Sequence, residues 1–401
     1  MFVKPTSLIH SLLPAGTALA LVLSWAPPSA AAFAARSSGG RPAGPPSRVV
    51  ASVSGPATVV PAGCHFEEAS GDAVASAVTT TNSTRGFVSF GGGTCARPAF
   101  SGTLRYFAGH DGTWRRATSP YTGRVLGVAD DTTGTYALFS NPNGIWVGKR
   151  TTAGGFTKPV RLSPRGNGGA VLPQGDIVAQ GGGYWAVWTE QVGPGGEFAQ
   201  QELFQAKTLG AGACTGAISR QRITTHHRDD ANPSLVLVPA TAGRSGAHLA
   251  WDRSDGAQGT SSWLMYASSG CNGRWRARTL FQVGIHQDPD MTRAGSIDYL
   301  AWGHDAQLVE AEISLAPFRS TAFAQPTAGN AHVSVSGSTV VALFESRGRL
   351  ATRERHAGVW SLRYLTAAGA PQQAVAATSF RSAFTALGLN TNDRLYAITV
   401  Q

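Results

Sequence analysis

This chain has 401 residues, with 49 glycines, 22 prolines and only 14% charged residues, and it lacks the long Glu-, Lys- and Leu-rich stretches of a helical protein. Its net charge of +10 comes from 29 arginines and 4 lysines against 23 acidic residues. The arginines are scattered one per strand or turn. No basic run interleaves with aromatics to track a nucleic-acid strand, so nucleic acid is excluded as a partner, while a basic surface still favours anionic ones.

Residues 1–35 read as a secretory signal peptide. Lys4 is a lone positive charge, an apolar stretch centres on Thr17 to Leu23, Pro27 and Pro28 follow, and Ala30 to Ala34 offer an A-x-A cleavage site. The apolar run is interrupted and shorter than the ~20 residues that span a bilayer, which favours cleavage over a membrane anchor. No other stretch could cross, so the expected location is outside the cell. Residues 36–55 are a flexible Pro/Gly/Ser-rich leader, and residues 56–401 form a single domain.

Seven short apolar runs end on or near an aromatic residue: Gly86–Phe90, Tyr136–Phe139, Trp185–Trp188, His248–Trp251, Tyr299–Trp302, Val341–Phe344 and Phe384–Gly388. Their ends lie 49, 49, 63, 51, 42 and 44 residues apart. Such a period, with several strand-like segments in each repeat, predicts an all-β, seven-bladed β-propeller; the alternative is six blades with an appendage. The pattern predicts a strand at Ala57–Val60 ahead of the first blade. Blade 2 reads as Arg124–Val128, Thr135–Ser140, Gly144–Lys149 and Phe156–Leu162. Blade 3 reads as Asp176–Ala179, Tyr184–Thr189, Glu202–Lys207 and Arg220–Thr225. Blade 4 comprises Ser234–Val238, Ala247–Trp251, Trp263–Ala267 and Trp275–Phe281. Blade 5 comprises Asp290–Ala294, Ile297–Trp302, Gln307–Ile313 and Phe318–Phe323. Blade 6 comprises His332–Ser336, Thr339–Phe344, Arg349–Arg355 and Trp360–Leu365. The last repeat supplies only Ala374–Thr378, Ala383–Leu387 and Arg394–Val400, so Ala57–Val60 is expected to pair there as the fourth strand and close the ring.

The last strand of a repeat tends to begin Gly-x-aromatic, as in Gly112-Thr113-Trp114, Gly154-Gly155-Phe156, Gly273-Arg274-Trp275 and Gly358-Val359-Trp360. Glycine allows a positive φ in the preceding turn, and the aromatic packs between blades. With Ser269-Gly270-Cys271-Asn272-Gly273-Arg274-Trp275 and His110-Asp111-Gly112-Thr113-Trp114, the chain resembles the secreted sialidase-like, Asp-box propellers, whose turn runs Ser-x-Asp-x-Gly-x-x-Trp. Cys271 stands where that pattern has Asp, and one residue is missing before Trp275. The resemblance implies a propeller and a carbohydrate-facing role. It transfers no sialidase site, which needs an arginine trio, a Tyr–Glu pair and an acid Asp, since neither the arginine-bearing N-terminal motif nor an unambiguous Tyr–Glu arrangement is visible. Four cysteines in an exported chain predict disulfides. The blade plan favours Cys64–Cys95 in the irregular N-terminal part and Cys214–Cys271 between adjacent repeats.

Loops into first strands converge at one mouth of a propeller. Two stand out: His226, His227, Arg228, Asp229 and Asp230 before blade 4, and His286, Asp288 and Asp290 before blade 5. Imidazoles with carboxylates suit ligand binding. They could also hold a divalent cation, with calcium favoured by oxygen ligands and zinc by nitrogen, although no cofactor is expected. The competing role for the aspartates is to accept backbone N–H bonds in turns beside Pro233 and Pro289. Trp185, Trp188 and Trp263 read as core, with sugar stacking as the alternative. The expected function is a secreted, monomeric, non-catalytic recognition scaffold for a glycan or anionic surface polymer, with protein partners also compatible with its flat faces. The alternative is a sialidase-like glycoside hydrolase or polysaccharide lyase at the same rim.

Overall fold

The computed structural model describes residues 57–60, 75–80, 83–89, 102–110, 113–165, 173–192, 200–210, 212, 214–225, 228–241, 244–254, 262–281, 286–304, 307–313, 319–326, 331–336, 338–356, 358–366, 372–380, 383–390 and 395–400. The signal and leader segments, Cys64, Cys95, His226 and His227 lie outside the described residues.

All regular structure among them is β. The strands are β1 (Ala57–Val60), β2 (Ala75–Thr80), β3 (Ser83–Val88), β4 (Thr103–His110), β5 (Thr113–Thr122), β6 (Arg124–Asp131), β7 (Gly134–Asn141), β8 (Gly144–Thr151), β9 (Val160–Ser163), β10 (Gly175–Gln180), β11 (Gly183–Val192), β12 (Gln200–Leu209), β13 (Gly216–Arg222) and β14 (Asp229–Thr241). They continue with β15 (Arg244–Ser254), β16 (Ser262–Gly270), β17 (Trp275–Phe281), β18 (His286–Ala294), β19 (Ile297–His304), β20 (Gln307–Ile313), β21 (Arg319–Pro326), β22 (His332–Ser336), β23 (Thr339–Ser346), β24 (Arg349–His356), β25 (Val359–Tyr364), β26 (Gln372–Phe380), β27 (Ala383–Asn390) and β28 (Leu395–Val400).

They form seven antiparallel four-stranded sheets. Six run in chain order, from β2–β5 to β22–β25, and the seventh is ordered β1-β28-β27-β26. β1 pairs with β28, opposing Ala57 to Ala397 and Thr58 to Tyr396. The first strands of consecutive sheets touch in the series β2, β6, β10, β14, β18, β22 and β26, and β26 also touches β2. This is propeller architecture. Six of the seven apolar runs fall wholly on the second strand of a repeat, β7, β11, β15, β19, β23 and β27, and Gly86–Val88 of the first run lie on β3.

Period-2 alternation gives each sheet two apolar faces, and the core is a series of layers between neighbouring sheets. Leu235, Leu249, Trp251 and Met265 pack against Trp185, Val187 and Leu203 of the preceding sheet. Val236, Ala250, Leu264 and Tyr266 pack against Met291, Leu300 and Trp302 of the following one. Trp185 and Trp188 are fully buried, so packing is their role. Trp251 donates its indole N–H to Asp230 Oδ1 at 2.8 Å. Trp251→Phe removes that donor and is expected to lower stability by about 1–2 kcal/mol, read as a lower denaturant midpoint with an unchanged m-value.

Polar staples link the first strands of sheets across the apolar layers. Asp176 Oδ2 accepts the Leu235 N–H at 2.7 Å, Ser234 Oγ accepts the Met291 N–H at 2.9 Å, and Asp290 Oδ2 accepts the Val333 N–H at 2.8 Å. Each bond satisfies an amide at a place where one sheet abuts the next.

Cys214 and Cys271 form a disulfide across a sequence separation of 57. Lys207, 2% exposed, donates to the carbonyls of Cys214 at 3.3 Å and Cys271 at 2.5 Å. Its ammonium lies 5.0 Å from the Trp185 ring centroid. Of the Gly-x-aromatic turns, Gly273 has φ +70° and Gly358 φ +82°. A Cβ on Gly273 would come within 2.5 Å of Ile218 Cδ1, the tip of a side chain, so it is the left-handed backbone that favours glycine there.

Several strand boundaries differ from the sequence expectation: the last strand of the β10–β13 sheet spans Gly216–Arg222 rather than Arg220–Thr225, and three strand starts have a local cause. The last strand of the β6–β9 sheet begins at Val160 rather than Phe156, since Phe156 makes only an isolated bridge with Arg150 and Pro159 has no N–H to donate. β14 and β18 begin before Pro233 and Pro289 rather than after them, at Asp229 and His286.

Candidate functional site

Those two early starts share one local geometry. In β14 the register slips between Ala231, opposite Asp252, and Ser234, opposite Ala250. In β18 it slips between Gln287, opposite Gly303, and Asp290, opposite Ala301. In each case two residues, Asn232-Pro233 or Asp288-Pro289, stand against one partner, which is a bulge. The proline, with no N–H, is tolerated there. The residue before it is left-handed, with φ +49° at Asn232 and +46° at Asp288. Asn and Asp are the non-glycine residues that best tolerate this conformation.

The two bulges meet at Asp252, on β15. Its Oδ2 accepts Asn232 Nδ2 at 3.1 Å and the Asp288 N–H at 2.9 Å. The Asn232 N–H in turn donates to Gln174 Oε1 at 2.8 Å. Burial, and then repulsion from Asp288, pushes the Asp252 carboxyl up to about 8, although both hydrogen bonds pull the other way. Burial also raises Asp288, opposed by the charge of His332, a side-chain bond with Asn232 and the charge of Arg124. Asp176 is raised to about 7 by burial despite its two amide bonds. The cluster is incompletely satisfied. Asp252 Oδ1 and His332 Nε2 are enclosed and make no hydrogen bond, a condition rare for buried polar atoms.

The structure brings together only some of the residues singled out in the sequence. Asp288 is at the centre of the cluster. Asp290 lies beside it, bonded to the Val333 amide and 3.6 Å from His332 Nδ1. Asp229 Oδ1 accepts the Gln201 N–H at 2.8 Å. Asp230 accepts from Trp251 and from Arg253 Nε at 2.9 Å. Arg228 stacks 4.0 Å from the Trp263 ring centroid, which leaves that half-buried tryptophan facing a guanidinium. His286 opens β18 opposite His304. Thus Asp229 and Asp290 accept backbone amides, the role the sequence reading weighed against chemistry. Asp252, His332, Asn232 and Arg124 were not singled out. The signal for Asp252 was a charge directly after a buried tryptophan, on the face that points to the next sheet. Among the described residues, no group of three or more His, Cys, Asp or Glu side chains is arranged to hold a metal ion, and no helix is long and apolar enough to cross a membrane.

No family model matches the chain, and no curated protein does. Similar solved structures include the β-propeller domain of Myceliophteria thermophila Cps50 (Swd1), at 11% identity and TM-score 0.47, covering 81% of this chain and 99% of that one. The polysaccharide lyase Uly1 is similar at 8% identity and TM-score 0.49, covering 84% and 91%. Trypanosoma rangeli sialidase in complex with sialic acid is similar at 10% identity and TM-score 0.43, covering 86% of this chain and 57% of that protein.

Proposed function

We propose that this chain is a secreted, seven-bladed propeller, closed by β1 on β28, that recognises a glycan at the inner ends of β14, β18 and β22. The observation that carries the reading is the convergence of two left-handed bulge residues, Asn232 and Asp288, on Asp252, beside His332 and its unmet hydrogen-bonding capacity. Strained backbone and unsatisfied polar groups concentrate where a protein binds something. The chemistry of the cluster favours hydroxyl groups. Carboxylates accept from them, while Asn232, His332 and Arg124 can donate to ring and hydroxyl oxygens. The disulfide supports a location outside the cell.

The test is a glycan array probed with the mature protein, followed by titration of the best ligand against Asp288→Ala plus His332→Ala. Losing two hydrogen bonds to charged groups is expected to weaken binding at least tenfold. Unchanged affinity in a folded double variant contradicts the site. Incubation with the bound glycan is expected to release no new reducing or unsaturated ends, as befits a recognition module.

A further inference from the structure

The opposite end of the layer between the β14–β17 and β18–β21 sheets carries a second polar constellation. His248 and Asp252 lie on the same face of β15, four residues apart, or about 13 Å along the strand, with Ala250 between them. His248 Nδ1 is 2.5 Å from Asp298 Oδ2. The Tyr266 hydroxyl donates to that same oxygen at 2.7 Å, and Arg293 bonds Asp298 Oδ1. Burial raises the Asp298 carboxyl, but the bonds from His248 and Tyr266 and the Arg293 charge outweigh it, holding it below the ordinary carboxylate range. An ionised carboxylate can only accept, so Nδ1 carries the imidazole proton. The ring is thereby oriented with Nε2 as its unprotonated, accepting nitrogen, and among the described residues Nε2 is not enclosed and makes no hydrogen bond.

Around that nitrogen the register places cations. His248, Ser268 and Arg276 are successive partners across β15, β16 and β17, and Ala250, Tyr266 and Arg278 form the adjacent row. Directly opposed residues of an antiparallel sheet share a face, so both arginines lie on the His248 side. Both are exposed. Arg278 lies 5.3 Å from the Tyr266 ring centroid, and among the described residues neither arginine is paired with a carboxylate. Asp298 is already engaged by Arg293, so among the described residues it is not available to neutralise Arg276 and Arg278.

We infer that Arg276, Arg278 and His248 Nε2 form a binding site for an acidic sugar of an anionic oligosaccharide, the arginines taking its acidic group and Nε2 accepting from one of its hydroxyls, separate from the glycan site at the other end of the layer. Planar guanidiniums match sulfate and carboxylate oxygens in paired hydrogen bonds, and the imidazole Nε2, an acceptor whose direction Asp298 fixes, takes the hydrogen of a hydroxyl on the same sugar.

The test uses the mature protein with two fluorescent probes of equal length, a sulfated decasaccharide and a decagalacturonate, at physiological salt. Binding of either probe is expected. Arg276→Ser plus Arg278→Ser should weaken it at least tenfold, and His248→Ala severalfold. Arg115→Ser plus Arg347→Asn removes the same charge elsewhere and should change affinity less than twofold. Asp288→Ala plus His332→Ala should leave it unaltered, which separates this site from the other. Binding of neither probe overturns the inference, as does an equal loss in the two arginine pairs or full retention when Arg276 and Arg278 are replaced. Thermal melts of each variant confirm that it is folded.

Discussion

Cys214→Ser plus Cys271→Ser is expected to lower stability by roughly 4 kcal/mol, the chain-entropy value for a loop of this size. The bridge joins the connection between β12 and β13 to the turn between β16 and β17, so it crosses from one sheet to the next. The effect should exceed loop entropy alone if the two turns separate. Lys207 would then lose the carbonyls that hold its buried ammonium, and a buried cation without partners is strongly unfavourable. Denaturant unfolding of the oxidised wild type and the double variant measures this directly. A difference below about 1 kcal/mol would show that the layer between these sheets holds without its staple.

Asp252→Asn is expected to make the protein more stable above pH 8 than the wild type, by an amount on the order of 3 kcal/mol. The sign follows from linkage. Asp252 is pushed up to about 8 in the folded chain, whereas an unfolded aspartate titrates near 3.9. Between those values the folded state holds the extra proton, so stability falls as pH rises. Asp176, raised to about 7, acts in the same direction. The wild type should therefore melt at a higher temperature at pH 5 than at pH 8.5. Asparagine keeps the acceptor for Asn232 and the Asp288 amide while removing the ionisation, so the variant should lose much of that slope. Below about pH 4 the order reverses for Asp298, whose lowered pKa makes its stabilising bonds disappear on protonation. Melting curves from pH 3 to 9 test both limbs. A wild type that gains stability from pH 5 to 8.5 would contradict the assignment.

The fold was legible because its repeat is written in large side chains. Trp185, Trp188, Trp251, Trp302, Phe139 and Phe344 all fall on second strands and are buried, and alternation around them marks the flanking strands, down to matching bounds at His332–Ser336 and Ala57–Val60. Proline limited the reading. Pro233 and Pro289 look like strand starts, yet each occupies a bulge within a strand that begins four or three residues earlier. The site was half legible for the same reason. Asp288 and Asp290 drew notice beside a proline, but their partners come from elsewhere in the chain. Asp252 and His332 reach the cluster only through sheet register, which no local pattern reveals. His248 and Asp298 were equally silent, since each sits within an ordinary strand run. Their common signature is a charged residue on the alternation phase that faces the neighbouring sheet.

The most direct test is a crystal structure of the mature protein soaked with the best neutral glycan from the array. The account predicts ordered sugar density within hydrogen-bond distance of Asp288 and His332, with the Asp252 carboxylate drawn into the same network. Sugar seated away from the inner ends of β14, β18 and β22, with Asp252 and His332 still unpartnered, would contradict it.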